Sequence, residues 1–232
     1  MHTITSPPHA APVRIQDSLL TAVERHVLVW IARRLPRQVH SDHLTLLALV
    51  AMVGLGGSYW LASVSPLGLL MATGFLAVNW FGDSLDGTLA RVRNQQRPRF
   101  GYYVDHVVDA VGTVVLFAGL ALSGYMQPAV AAVLLIAYLL VCAEVYLAAC
   151  SIGRFEMSFL RIGPTELRIL LSVGNLVLYL KPDAAMFDGR LSLFDMGGLI
   201  GAAGLLGTFC YSAVRNTGRL YREEPRPTAS SG

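Results

Sequence analysis

The chain has 232 residues, 54% of them hydrophobic and only 14% charged, with a formal net charge of +3. That balance counts against a single soluble domain and favours a small bundle of membrane helices, with no nucleic-acid partner expected. No Asp, Glu, Lys or Arg occurs between His43 and Asp83 or between Asp109 and Glu144, and each gap has room for two spans of about 20 residues.

In chain order, residues 1–16 lack the charged region and apolar run of a secretory signal and are expected to be disordered. Residues 17–35 place Leu20, Val23, Val27, Trp30 and Ile31 at helical spacing, with Glu24, Arg25, Arg33 and Arg34 clustered elsewhere. This pattern predicts an amphipathic helix lying in the membrane interface, with Trp30 at headgroup level. Cutting the apolar runs at Ser65-Pro66, at "SGYMQP" (123–128) and at "KPDAAMFDGR" (181–190) gives spans at about 44–64, 67–90, 102–122, 128–150, 166–181 and 195–214. Residues 217–232 are expected to be a disordered tail around a membrane domain of 17–216. Cys142, Cys150 and Cys210 lie inside apolar runs without metal-like spacing, so they read as core or lipid-facing residues.

Basic residues collect on one side of these spans. Arg14, Arg25, Arg33, Arg34 and Arg37 precede the first, Arg91, Arg93, Arg97 and Arg99 follow the second, Arg154, Arg161 and Arg168 surround the fourth connection, and Arg215, Arg219, Arg222 and Arg226 follow the last. The opposite side keeps Lys181 and Arg190. Because cytoplasmic segments are enriched in Lys and Arg, both termini are expected in the cytoplasm, which requires an even number of spans.

Residues 83–109, "DSLDGTLARVRNQQRPRFGYYVDHVVD", put four aspartates where the second span ends and the third begins. On a helix, Asp83 and Asp86 lie about 60° apart and Asp105 and Asp109 about 40° apart, so each pair shares a face. The short connection predicts that the two helices are neighbours. Converging carboxylates repel and take up protons unless a cation fills the space between them, and hard oxygen ligands select Mg²⁺ or Mn²⁺, ions that bind substrate phosphates. Gly87 and Gly101 remove side chains where the helix ends must admit a bulky ligand, and Arg91 can meet a phosphate. A solvated loop with ordinary helix-end charges is the plainer alternative, but it does not need aspartates at i, i+3 on one helix and i, i+4 on the next.

The pattern Asp83-x2-Asp86-Gly87-x2-Ala90-Arg91-x9-Gly101-x3-Asp105-x3-Asp109 resembles the signature of the CDP-alcohol phosphotransferase family at all eight of its defining positions. The resemblance implies an all-α integral membrane protein with six transmembrane helices, an N-terminal interfacial helix and cytoplasmic termini. It implies an enzyme of phospholipid synthesis that moves a phosphoalcohol group from a CDP-linked donor to a hydroxyl acceptor and releases CMP. Asp83, Asp86, Asp105 and Asp109 would hold one or two Mg²⁺ or Mn²⁺ ions, with two expected, and Asp109 would be the base. Thr45, Gly87, Ala90, Arg91 and Gly101 would contact the nucleotide. The family's Pro-Asn-x-x-Thr stretch is replaced here by Ser41-Asp42 before Thr45, so the donor pocket departs from the pattern at that edge.

The expected donor is CDP-diacylglycerol, from the compact, bacterial-like size, and the expected location is a bacterial inner membrane with the active site facing the cytoplasm. A homodimer is what the family implies. Glu144 lies at the depth of Asp83 and is expected to face the same cavity, while Arg154, Arg161, Glu166 and Arg168 are the candidates for acceptor selection. Arginines there would suit a phosphorylated acceptor, and a carboxylate an amino alcohol. A small cation- or proton-coupled transporter using the same carboxylates is the alternative.

Overall fold

The computed structural model describes residues 19–152, 164–181 and 191–224. The described residues form seven helices: α1 (Leu19–Arg34), α2 (Ser41–Ala62), α3 (Leu67–Val92), α4 (Pro98–Leu122), α5 (Pro128–Ile152), α6 (Pro164–Leu180) and α7 (Leu193–Glu223). Each segment expected from the apolar runs is a helix within several residues of its expected limits, except that α7 continues about nine residues further. Residues 217–223, expected to belong to the disordered tail 217–232, are instead the last turns of α7; the expected disordered segment 1–16 and the rest of that tail, 225–232, with Arg154, Arg161, Arg190 and Arg226, lie outside the described residues.

The helix starts follow local chemistry. Pro98 occupies the first turn of α4, where a missing backbone N–H costs nothing. At α7, the Ser192 hydroxyl accepts from the Asp195 N–H while the Asp195 carboxylate accepts from the Ser192 N–H, a reciprocal cap that satisfies two otherwise orphaned donors. Four helices, α2, α4, α5 and α7, are long and apolar enough to cross a membrane. Helix α6 has 17 residues, and α3 is diluted by Asn79, Asp83, Ser84 and Asp86, the polar stretch that becomes the site.

Helix α2 is the centre of the packing, lying against both α3 and α4; α1 and α6 lie on α3, and α5 joins α4 to α7. The larger core cluster joins Leu55 and Tyr59 of α2, Leu69 and Leu76 of α3, Leu116 and Leu120 of α4, Leu178 of α6 and Phe194 of α7. Within it, the buried Asn175 of α6 accepts from the Tyr59 hydroxyl at 3.0 Å and donates to Thr73 Oγ1 at 3.3 Å. A polar group so deep must be paired, and this pairing fixes the rotation of α6 against α2 and α3.

The second cluster, Leu28, Ala32, Leu44, Leu85 and Leu89, fastens α1 to the end of α3. Two polar contacts reinforce it. The Glu24 carboxylate accepts from Trp80 Nε1 at 2.7 Å and from Ser84 Oγ at 3.3 Å, and Arg93 donates to the carbonyls of Leu35, Pro36 and Val39. The inward face of α1 is carried by Leu28 and Ala32, which are buried, while Val27 and Trp30 of the expected interfacial stripe are exposed, with Arg34 stacked 3.9 Å above the Trp30 ring. Docking on α3 claims one side of the helix, and the sequence spacing alone did not distinguish that side from the outward one.

Backbone proximity is set by small residues. A Cβ at Gly119 of α4 would lie 2.5 Å from the Gly56 carbonyl oxygen of α2, and one at Gly82 of α3 would lie 2.7 Å from the Leu44 carbonyl oxygen. Replacing Gly119 by Ala must push α4 off α2, and overpacking of this kind costs about 1–3 kcal/mol. The expected result is a Gly119→Ala protein that unfolds several degrees below the wild type in detergent. An unchanged unfolding temperature would show that the crossing is looser than the structure has it.

Candidate active site

Asp83 is placed by the neighbouring Gly82, whose lack of a side chain lets α3 meet α2 at Leu44 and Ala48, and by Asn79, one turn earlier, which donates to the Ala48 carbonyl at 3.1 Å. Helix α4 presents Asp105 and Asp109 one turn apart. Asp83, Asp105 and Asp109 each offer a carboxylate oxygen, and these three atoms lie within 4.8 Å of one another. Asp109 is the exposed member of the group, while Asp83 and Asp105 are half-buried.

Asp86 stands beside the group and is engaged differently. Its carboxylate accepts from Thr45 Oγ1 at 2.7 Å and from the Gly87 N–H. Thr45, expected to touch a nucleotide, thus also orients a carboxylate of the motif, and does so across the α2–α3 contact. Such a bond to the ionised form steadies an anion placed among like charges.

Gly87 and Gly101 leave room. A Cβ at Gly101 would meet nothing within 4 Å, and one at Gly87 would meet only the flexible Arg91 side chain, at 3.4 Å. Packing does not require glycine at either place, so the space they free is available to a ligand. Ala90, three residues beyond Gly87 on α3, is half-buried, and Arg91 is exposed, its guanidinium donating to Thr88 Oγ1 at 3.1 Å.

The remaining candidates divide. Arg168 of α6 reaches the aspartates directly, with Nη2 2.6 Å from Asp83 Oδ2. Glu166, at the start of the same helix, is half-buried. Glu144 is not brought to the aspartates: its carboxylate accepts from Asn216 Nδ2 at 2.7 Å, in a small pocket between α5 and α7 that Arg215 and Arg219 also line. The face of α5 that senses Asp109 is instead Tyr138, Cys142 and Tyr146, about 160° around the helix from Glu144 as judged from the last two. The i, i+4, i+8 spacing of those three polar side chains in an apolar helix was the signal that could have identified that face. Arg154 and Arg161 lie outside the described residues.

Residues 39–207 match the protein family described as CDP-alcohol phosphatidyltransferase. The chain belongs to this family. A search among curated proteins finds no match. As a CDP-alcohol phosphatidyltransferase with several long apolar helices, the chain is an integral membrane protein and a transferase of phosphate-containing groups. The family generally uses divalent metal ions. The donor set here fits such an ion: three convergent carboxylates are hard oxygen ligands of the kind that Mg²⁺ and Mn²⁺ accept.

The open space at Gly101 yields a test. Gly101→Ala should keep the wild-type unfolding temperature within about a degree while lowering transferase activity at least roughly tenfold, since the added methyl group meets a ligand rather than protein. Loss of stability together with activity would mean that the glycine serves the fold.

Proposed function

We propose that this protein transfers a phosphatidyl group from CDP-diacylglycerol to the hydroxyl group of a small polar acceptor, releasing CMP. The observation that carries the reading is the convergence of Asp83, Asp105 and Asp109 from two helices beside the room left at Gly101. In the reaction the acceptor oxygen forms a bond to the diacylglycerol-bearing phosphorus. The bond from that phosphorus to the bridging oxygen breaks, its electron pair leaving with CMP.

Asp83, Asp86 and Asp105 would hold the metal, with Asp109 completing the set, and two ions are the expected complement. The metal supplies charge neutralisation on the diphosphate as negative charge builds on the departing CMP. Asp109, the exposed carboxylate of the group, takes the proton of the acceptor hydroxyl as the new bond forms. Thr45 holds Asp86 in place. Gly87, Ala90 and Gly101 provide a surface without bulk for the nucleotide, and Arg91 a positive charge for its phosphate.

The membrane arrangement proposed with this activity is six spans, α2 to α7, with α1 in the interface and both termini on the cytoplasmic side. Its support is the one-sided distribution of arginine. The active site then faces the cytoplasm, in a bacterial inner membrane, and the enzyme works as a homodimer. Arg154, Arg161, Glu166 and Arg168, of the sequence that leads into α6, are the proposed acceptor-selecting group, the arginines favouring a phosphorylated alcohol. Glu144 belongs to the α5–α7 pocket, so an acceptor role for it would require an acceptor that extends there.

CMP release by the purified protein tests the reading, with CDP-diacylglycerol, Mg²⁺ or Mn²⁺, and acceptors from glycerol 3-phosphate and inositol phosphate to serine and choline. Metal-dependent release with one acceptor, reduced about 10²–10⁴-fold by Asp109→Asn, is expected for the loss of a general base. Release that is indifferent to the metal, or undiminished in the variant, would refute the mechanism.

A further inference from the structure

Arg168 occupies a position that a metal site does not ordinarily invite. Its guanidinium lies 2.6 Å from Oδ2 of Asp83, and the two side chains are only 15% and 27% exposed. The same aspartate contributes an oxygen to the three-carboxylate group. A positive charge is therefore bound to one of the groups that would hold a divalent cation.

The placement of Arg168 does not depend on that cation. Asn175 lies seven residues later, about two turns along α6 and within about 20° of the same face. It is fully buried and tied to Tyr59 of α2 and Thr73 of α3. That pairing sets the rotation of α6 from deep in the bundle and aims Arg168 at the end of α3. Ser172, one turn from Arg168, donates back to the Arg168 carbonyl at 2.8 Å and leaves the guanidinium to Asp83.

We infer that Arg168 is a positioning residue for the metal site, its guanidinium competing with the divalent cation for Asp83 and so holding the intrinsic metal affinity down. This rests on the proposed function, because it takes the aspartate group as the metal site. Two cations sharing one carboxylate in a partly shielded place oppose each other, and each weakens the other's hold. An anionic diphosphate brought to the site relieves that opposition. Metal and nucleotide binding are then linked, each tightening the other by the same factor. The site loads fully with its donor and resists loading without it.

The test is a titration of the purified full-length protein with Mn²⁺, free ion being counted by electron paramagnetic resonance, with and without CDP. Without nucleotide, Arg168→Gln should bind Mn²⁺ roughly tenfold more tightly than wild type, a change of about 1.4 kcal/mol, and Arg168→Lys should stay near wild type. Added CDP should tighten Mn²⁺ binding more in wild type than in Arg168→Gln. A gain of affinity cannot come from a damaged fold, so a structural role alone would not produce it. Equal or weaker Mn²⁺ binding by Arg168→Gln overturns this inference while leaving the metal site standing. Absence of Mn²⁺ binding by both proteins even with CDP present overturns the inference and the proposed function together.

Discussion

Three carboxylate oxygens within 4.8 Å of one another repel, so the helix ends that carry them have to be pressed together by contacts elsewhere. The rest of the structure supplies those contacts. Helix α3 is drawn onto α2 where Gly82 removes a side chain and Asn79 bonds a backbone carbonyl, and α4 is drawn onto α2 farther along, at Gly56 and Gly119. With both aspartate-bearing helices fixed to α2, the connection between them can stay short and their acidic faces have little freedom to part. Dispersion and hydrophobic burial along the helices thus offset the electrostatic cost concentrated at one end.

The same logic explains the clamping of α1. The end of α3 leaves the apolar core before it reaches Arg91, and a helix end without tertiary contacts frays. Leu28 and Ala32 cover Leu85 and Leu89, Glu24 grips Trp80 and Ser84, and Arg93 gathers three carbonyls beyond α1. The side of α3 opposite α1 is left for the aspartates. Helix α1 thus makes the acidic end of α3 a rigid element, which is where a positioned site is best built.

Much of this was legible in the chain. Long stretches without charge fixed where helices run, and Ser65-Pro66 and "SGYMQP" fixed where two of them break. The spacing of Asp83, Asp86, Asp105 and Asp109 predicted that all four converge, because helical periodicity and a short connection leave few other arrangements; three of them meet, and Asp86 stands beside the group, bonded to Thr45. Partners distant in sequence were not legible. Arg168 reaches Asp83 across 85 positions, and its role as a counter-charge depends on a rotation of α6 set by Asn175, Tyr59 and Thr73. Glu144 shows the same limit. Its depth along α5 could be read from the sequence, but its direction toward Asn216 depends on α7 packing against α5. In α1, the side that docks was decided by Glu24, Leu28 and Ala32 finding partners on α3.

Everything proposed for this protein turns on Asp83, Asp105 and Asp109 forming one cation site at the meeting of α3 and α4. Anomalous scattering from crystals grown with Mn²⁺ and CDP tests it most directly. A peak is expected within coordination distance, about 2.0–2.3 Å, of oxygens from all three aspartates. Strong Mn²⁺ peaks elsewhere on the protein, with none among these carboxylates, would contradict it.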